Sequence, residues 1–119
     1  MRQLILVVPL LALAACASAG VAEDVEKWVL EVPPAVDKGA EFQFTVRAQR
    51  NGAEIPNVKY HYQVLWPEGS GNPLRHSGWT GTAVKVHARM VTGKATIVFT
   101  CINRAGVDVK VAETSFEVK

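Results

Sequence analysis

The stretch "EFQFTVRAQ" alternates apolar and polar residues without a break. A strand points successive side chains to opposite faces, so a period of two builds a surface that is apolar on one side and wet on the other. Phe42, Phe44, Val46 and Ala48 fall on one face; Glu41, Gln43, Thr45, Arg47 and Gln49 fall on the other. A helix cannot use this pattern, because 3.6 residues per turn would spread the apolar positions around its whole circumference. The pattern therefore demands a half-buried antiparallel strand with a second apolar surface to cover it.

The same period recurs along the chain. "VKYHYQVLW" turns Val58, Tyr60, Tyr62, Val64 and Trp66 inward and Lys59, His61 and Gln63 outward. "KATIVFTCIN" gives Ala95, Ile97, Phe99 and Cys101 on one face, and "AVKVHARM" gives Val84, Val86, Ala88 and Met90. "EKWVLEV" contributes Trp28, Leu30 and Val32. "VKVAETSFEVK" closes the chain with Phe116 and Val118 inward, and its phase shifts between Val111 and Thr114, which predicts a β-bulge. Turn chemistry separates the runs: "PPAVDKG", "RNGAEIPN" with its tight Asn-Gly, "PEGSGNP", "TGK" and "NRAG". About seven short strands with frequent turns and no helical window predict an all-β fold, a single antiparallel β-sandwich. Its core anchors are Trp28, Phe42, Phe44, Tyr60, Tyr62, Trp66, Phe99 and Phe116.

The first twenty residues follow a different rule. "MRQLILVVPLLALAACASAG" has a positive end at Arg2, an apolar core and a tail of small residues, the three parts of a secretory signal. Its apolar part, residues 4–19, would span roughly 24 Å as a helix, short of the ~30 Å core of a bilayer. "ASA" ahead of Gly20 is an A-x-A cleavage site and would discard Cys16. "LAAC", ending on Cys16, resembles the lipobox of bacterial lipoproteins: an aliphatic residue, two small residues, then cysteine. The resemblance implies cleavage before Cys16 and acylation of its thiol and amine. With Ala17 next in the chain, it also implies delivery to the outer membrane. On that reading residues 1–15 are the signal peptide, residues 16–24 a lipidated tether, and residues 25–119 the domain. A secreted or periplasmic soluble protein is the alternative.

The domain resembles bacterial immunoglobulin-like and fibronectin-III-like modules. The segments that carry the likeness are "VPPAVDKGAEFQFTVRAQRNGAEIPNVKYHYQV" and the closing "GKATIVFTCINRAG" and "AETSFEV". The chain departs from the antibody pattern at Phe99-Thr100-Cys101, where that family has Y-x-C. No cysteine on "EFQFTVRAQ" can pair with Cys101, so the sandwich is expected to lack an inter-sheet disulfide. An immunoglobulin-like, a fibronectin-III-like and a transthyretin-like topology all remain open to the sequence.

Charge narrows the partners. Among 119 residues, 13 Lys and Arg face 11 Asp and Glu, a net charge of +2. With no basic run, the chain lacks the electrostatic footprint of a nucleic-acid binder. Catalysis has no motif behind it: no serine sits in G-x-S-x-G, and "GSGNP" lacks the strand-to-helix setting of a phosphate loop. We expect no enzyme, no cofactor and no metal. Cys101, on the Phe99 face, is expected to fill space as a buried thiol. The segment "WPEGSGNPLRHSGWTG", residues 66–81, is read as a loop, and Trp66, Arg75, His76 and Trp79 within it are the candidate binding residues, since Trp and Arg dominate interface hot spots.

The function expected from these features is that of an outer-membrane-anchored small lipoprotein. It would act as a binding or structural module of the cell envelope, attached through lipid on Cys16 and meeting a protein partner there. Two rivals are an inhibitor of an envelope-directed hydrolase and a periplasmic metal-handling protein. The first is weakened because the NPTTG, GxGG and RPW loops of immunoglobulin-like cysteine-protease inhibitors are absent. The second would rest on His61, His76, His87 and Met90.

Overall fold

In the computed structural model, residues 20–69 and 74–119 are described. They fold into two packed sheets with no long helix. The strands are β1 (Lys27–Glu31), β2 (Ala35–Val36), β3 (Glu41–Arg50), β4 (Ala53–Ile55), β5 (Lys59–Leu65), β6 (His76–Trp79), β7 (Val84–His87), β8 (Gly93–Ile102) and β9 (Asp108–Val118). Strand β3 is the centre of the first sheet. Strand β1 pairs along one edge, while β7 and β4 share the other, β7 against residues 41–44 and β4 against residues 48–50. The second sheet runs β2-β9-β8-β5-β6. Side chains of β3 pack against those of β5, β8 and β9, so the two sheets form a β-sandwich.

The alternation in the sequence becomes the pleat. Strand β3 reads exposed-buried along its first four residues, and Phe44, Val46 and Ala48 are sealed. Val58, Tyr60, Ile97, Phe99 and Cys101 are completely covered. Phe44 meets Tyr62 edge-on at 5.1 Å and Phe99 at 5.7 Å, so the two sheets are joined through crossed rings. Trp28 and Trp66 are only partly buried and flank this core.

Turns follow their residue types. Asn51 and Gly52 both take positive φ, 52° and 77°, as a two-residue type I′ hairpin requires, and they join β3 to β4. Asn103 closes the β8–β9 turn, its side-chain oxygen accepting from the amides of Ala105 and Val107 at 3.0 and 2.9 Å. Strand β9 carries its bulge at Val111, the residue skipped between the pairs Phe99–Ala112 and Thr100–Lys110.

Three expectations are corrected. The sandwich is not wholly antiparallel, because β2 runs parallel to β9 at its two residues. Residues 66–81 are not all loop: His76–Trp79 is the edge strand β6. That strand was hidden because its inward position is Gly78, which shows no apolar side chain; Tyr60 lies across the space a Cβ would take. Met90 is not inward but 70% exposed. Strand pairing ends at His87, and the chain then leaves the first sheet to begin β8 in the second, so the alternation stops before Met90.

The stretch read as a tether is held where it is described. Ala22–Asp24 is a single 3-10 turn. Asp24 pairs with Arg104 at 3.1 Å, Glu23 accepts from the Arg104 amide at 2.8 Å, and Arg50 donates to the carbonyls of both acidic residues. Ala22 and Val25 cover a small cluster of Ala48, Val58 and Cys101. The N-terminal segment thus caps one pole of the sandwich, formed by the β3–β4 and β8–β9 turns. Cys16 lies outside the described residues.

Candidate binding cleft

Strand β5 starts at the capped pole and climbs away from it, because His61 pairs with Thr100 and Leu65 with Thr96. Strand β7 lies toward the same far end, with His87 opposite Glu41 at the start of β3. Between the open edges of the two sheets, β6 on one side and β7 on the other, lies a cleft of about 300 Å³. Tyr62, Val64 and Trp66 form its floor, Leu74 and His76 one wall, and Lys85, Val86, His87 and Arg89 the other.

The floor is fixed by the core. Trp66 stands perpendicular to Phe116 with ring centres 6.0 Å apart, and Tyr62 stacks on its cross-strand partner His76 at 5.3 Å. Burial raises the Tyr62 phenol above its ordinary pKa, so it remains a neutral O–H. The Arg89 guanidinium sits 5.9 Å from the centre of the Trp66 ring, a cation–π contact worth about 0.5–1 kcal/mol at an exposed site. Among the described residues the lining includes no Asp or Glu.

The pleat sorts the four candidates from the sequence. Trp66 and His76 line the cleft. Arg75, just before β6, and Trp79, its last residue, take odd positions and go to the outer face of the second sheet. There Arg75 pairs with Asp108 at 2.7 Å, and Asp108 also accepts from Thr100 at 3.0 Å. Trp79 is 48% exposed, with the Lys59 ammonium 6.0 Å from its ring centre. Sequence reasoning missed Tyr62, Lys85, His87 and Arg89 as cleft residues. Each belongs to a strand or strand end whose local pattern says core or surface, and only the facing of the two sheets brings them together. The one available signal was that "VKVHAR" carries three basic or imidazole side chains within five residues.

The histidines do not converge. His61 is on the outer face, within 3.2 Å of Ser77, while His76 and His87 approach the cleft from opposite walls. Among the described residues no three His, Cys, Asp or Glu side chains are grouped to hold a metal. Cys101 is buried in the capped pole, its thiol donating weakly to the Lys59 carbonyl at 3.5 Å. Burial, with help from Asp108 and Glu23, pushes its pKa from 9.0 to about 11. A thiol so placed is a poor nucleophile and a poor ligand. Among the described residues no helix is long and apolar enough to cross a membrane.

No protein-family model, curated protein or solved structure matches the chain.

Proposed function

We propose that the chain is a small bacterial lipoprotein whose single sandwich serves as a binding module of the cell envelope, anchored through lipid on Cys16 to the outer membrane. The observation that carries this reading is the lipobox "LAAC" directly behind a signal core. Several acyl chains give durable attachment, since each buried methylene contributes about 0.8 kcal/mol. Such an anchor would have a geometric consequence. The residues after Gly20 are fastened to one pole, so about four residues separate Cys16 from the domain, roughly 14 Å at full extension. From that pole β5 climbs seven residues to Trp66, roughly 23 Å at strand rise. An anchor at Cys16 therefore holds the capped pole close to the headgroups and turns the cleft toward the opposite end.

Binding is favoured over catalysis by the make-up of the cleft. Among the described residues it pairs aromatic surface with cations and imidazoles and offers no carboxylate, serine or cysteine as nucleophile. The test is metabolic labelling with palmitate, together with membrane fractionation, of wild type and Cys16→Ser. Label and outer-membrane recovery in the wild type, both lost in the variant, are expected. An unlabelled, soluble wild type would overturn the anchor.

A further inference from the structure

The arginines of the described chain divide sharply by their partners. Arg47 binds Glu31 and Glu54, Arg75 binds Asp108, Arg104 binds Asp24, and Arg50 binds two backbone carbonyls. Arg89 alone among them has no oxygen partner for its side chain among the described residues; it sits over the Trp66 ring. Lys85, on the same wall of the cleft, likewise has no carboxylate among the described residues. The two cations share a concave site whose described lining holds no acidic residue.

Lys, Arg and the indole N–H are donors only. A cleft built from Lys85, Arg89 and Trp66, with imidazoles on both walls, therefore wants an acceptor-rich occupant, and its charge wants an anion. A purely apolar acid would cover the aromatic floor but leave most donors without acceptors, which costs affinity. A bare anion would use the cations and leave the floor uncovered. A cavity of about 300 Å³ is at the small end of ligand sites, the size for one or two rings.

Resting on the reading of this domain as a binding module, we propose that the cleft between β5–β6 and β7 binds an acidic saccharide, a sugar ring carrying a carboxylate or phosphate. Arg89 and Lys85 receive the charged group, the Trp66 ring lies against the C–H face of the sugar, and the imidazoles of His76, stacked on the buried Tyr62, and His87 meet its hydroxyls.

The test uses the full chain, ¹⁵N-labelled and held in neutral detergent. Its three indole N–H signals report on three places: Trp66 in the cleft, Trp28 beside the core and Trp79 on the outer face. The probes are glucuronate, glucose 6-phosphate, glucose and acetate, each titrated to about 20 mM, a range that captures millimolar affinities. Saturable movement of the Trp66 signal with at least one acidic sugar is expected, with glucose and acetate at least about tenfold weaker and Trp28 and Trp79 still. Glucuronate and glucose 6-phosphate together tell whether the charged group is a carboxylate or a phosphate. Arg89→Gln, at an exposed position, should weaken the response about tenfold or more with the rest of the spectrum unchanged. No Trp66 response to either acidic sugar, an equal response to glucose or acetate, or an Arg89→Gln variant that binds as well as wild type would each overturn the proposal. Loss of this response leaves the palmitate result untouched, so the ligand class and the anchored-module reading fail separately.

Discussion

Cys101 shows how one side chain can be read from chemistry before it is seen. A lone cysteine on an apolar strand face is a small hydrophobe, and here it is wholly covered by the N-terminal segment and β3. Its buried thiol holds its proton to about pH 11 in the fold, against 9.0 ordinarily. The unfolded chain therefore loses that proton first as pH rises. The contribution to stability is complete below pH 9 and is lost between 9 and about 11. Urea midpoints measured from pH 8 to 11 should fall over that interval. In Cys101→Ala the starting midpoint is lower but the fall between pH 9 and 10 is shallower, because the tyrosines Tyr60 and Tyr62, also raised by burial, ionise later. Parallel curves for the two proteins would show that the thiol does not carry the effect. At this scale the sequence also has a blind spot. His87 and Lys85 look like solvent-facing residues of an edge strand, and they are exposed; nothing local says that they overlook an aromatic floor contributed by the other sheet.

Elements were legible where both faces of a strand differ in polarity. The inward sets of β3, β5 and β8 follow directly from the period of two, and the phase break in the last run foretold a bulge that falls at Val111, where the expected interval begins. Strand β6 was illegible for a physical reason. Its inward residue is Gly78, opposite Tyr60, and the tyrosine ring supplies the bulk that a strand residue normally would. The Tyr60 hydroxyl is buried there without a hydrogen-bond partner among the described residues. Gly78→Ala would drive a methyl into the Tyr60 ring, whose hydroxyl oxygen and two ring carbons all lie within 2.8 Å of the added Cβ, an overpacking that should lower stability by about 1–3 kcal/mol in chemical denaturation. Combining it with Tyr60→Leu, which removes the ring, should cost less than the sum of the two single losses, whereas Tyr60→Phe, which keeps both carbons, should relieve little. A fully additive loss with Tyr60→Leu would show that the clash is with something else. The neighbouring Thr80 supplies what β6 lacks in side chains. It is buried, its hydroxyl accepting from the Val58 amide at 2.9 Å and donating to the Ile55 carbonyl at 3.0 Å, and so fastens the end of β6 to the start of β5.

The whole molecule is a sandwich with two unlike ends. One pole is closed by Ala22–Asp24 and the ion pair between Asp24 and Arg104; the other half opens between β6 and β7 into a cationic, ring-floored cleft. Fold class was legible because strand patterns and turns are local signals. The cleft was only half legible: Trp66 and His76 were singled out for their residue types, while Arg75 and Trp79 proved to face the other way. Which sheet edge faces which is decided by pairing between segments far apart in the chain, and a single sequence carries no record of it. The account as a whole hangs on the end that is fastened. If lipid sits on Cys16, the closed pole faces the membrane and the cleft is presented away from it; if the chain is cut at the A-x-A site, there is no such orientation. The direct measurement is the intact mass and N-terminal peptide of the protein purified from its native envelope. The account predicts a chain that begins at Cys16 and carries fatty acyl groups on that residue. A mature chain beginning at Gly20, with no modification, would contradict it.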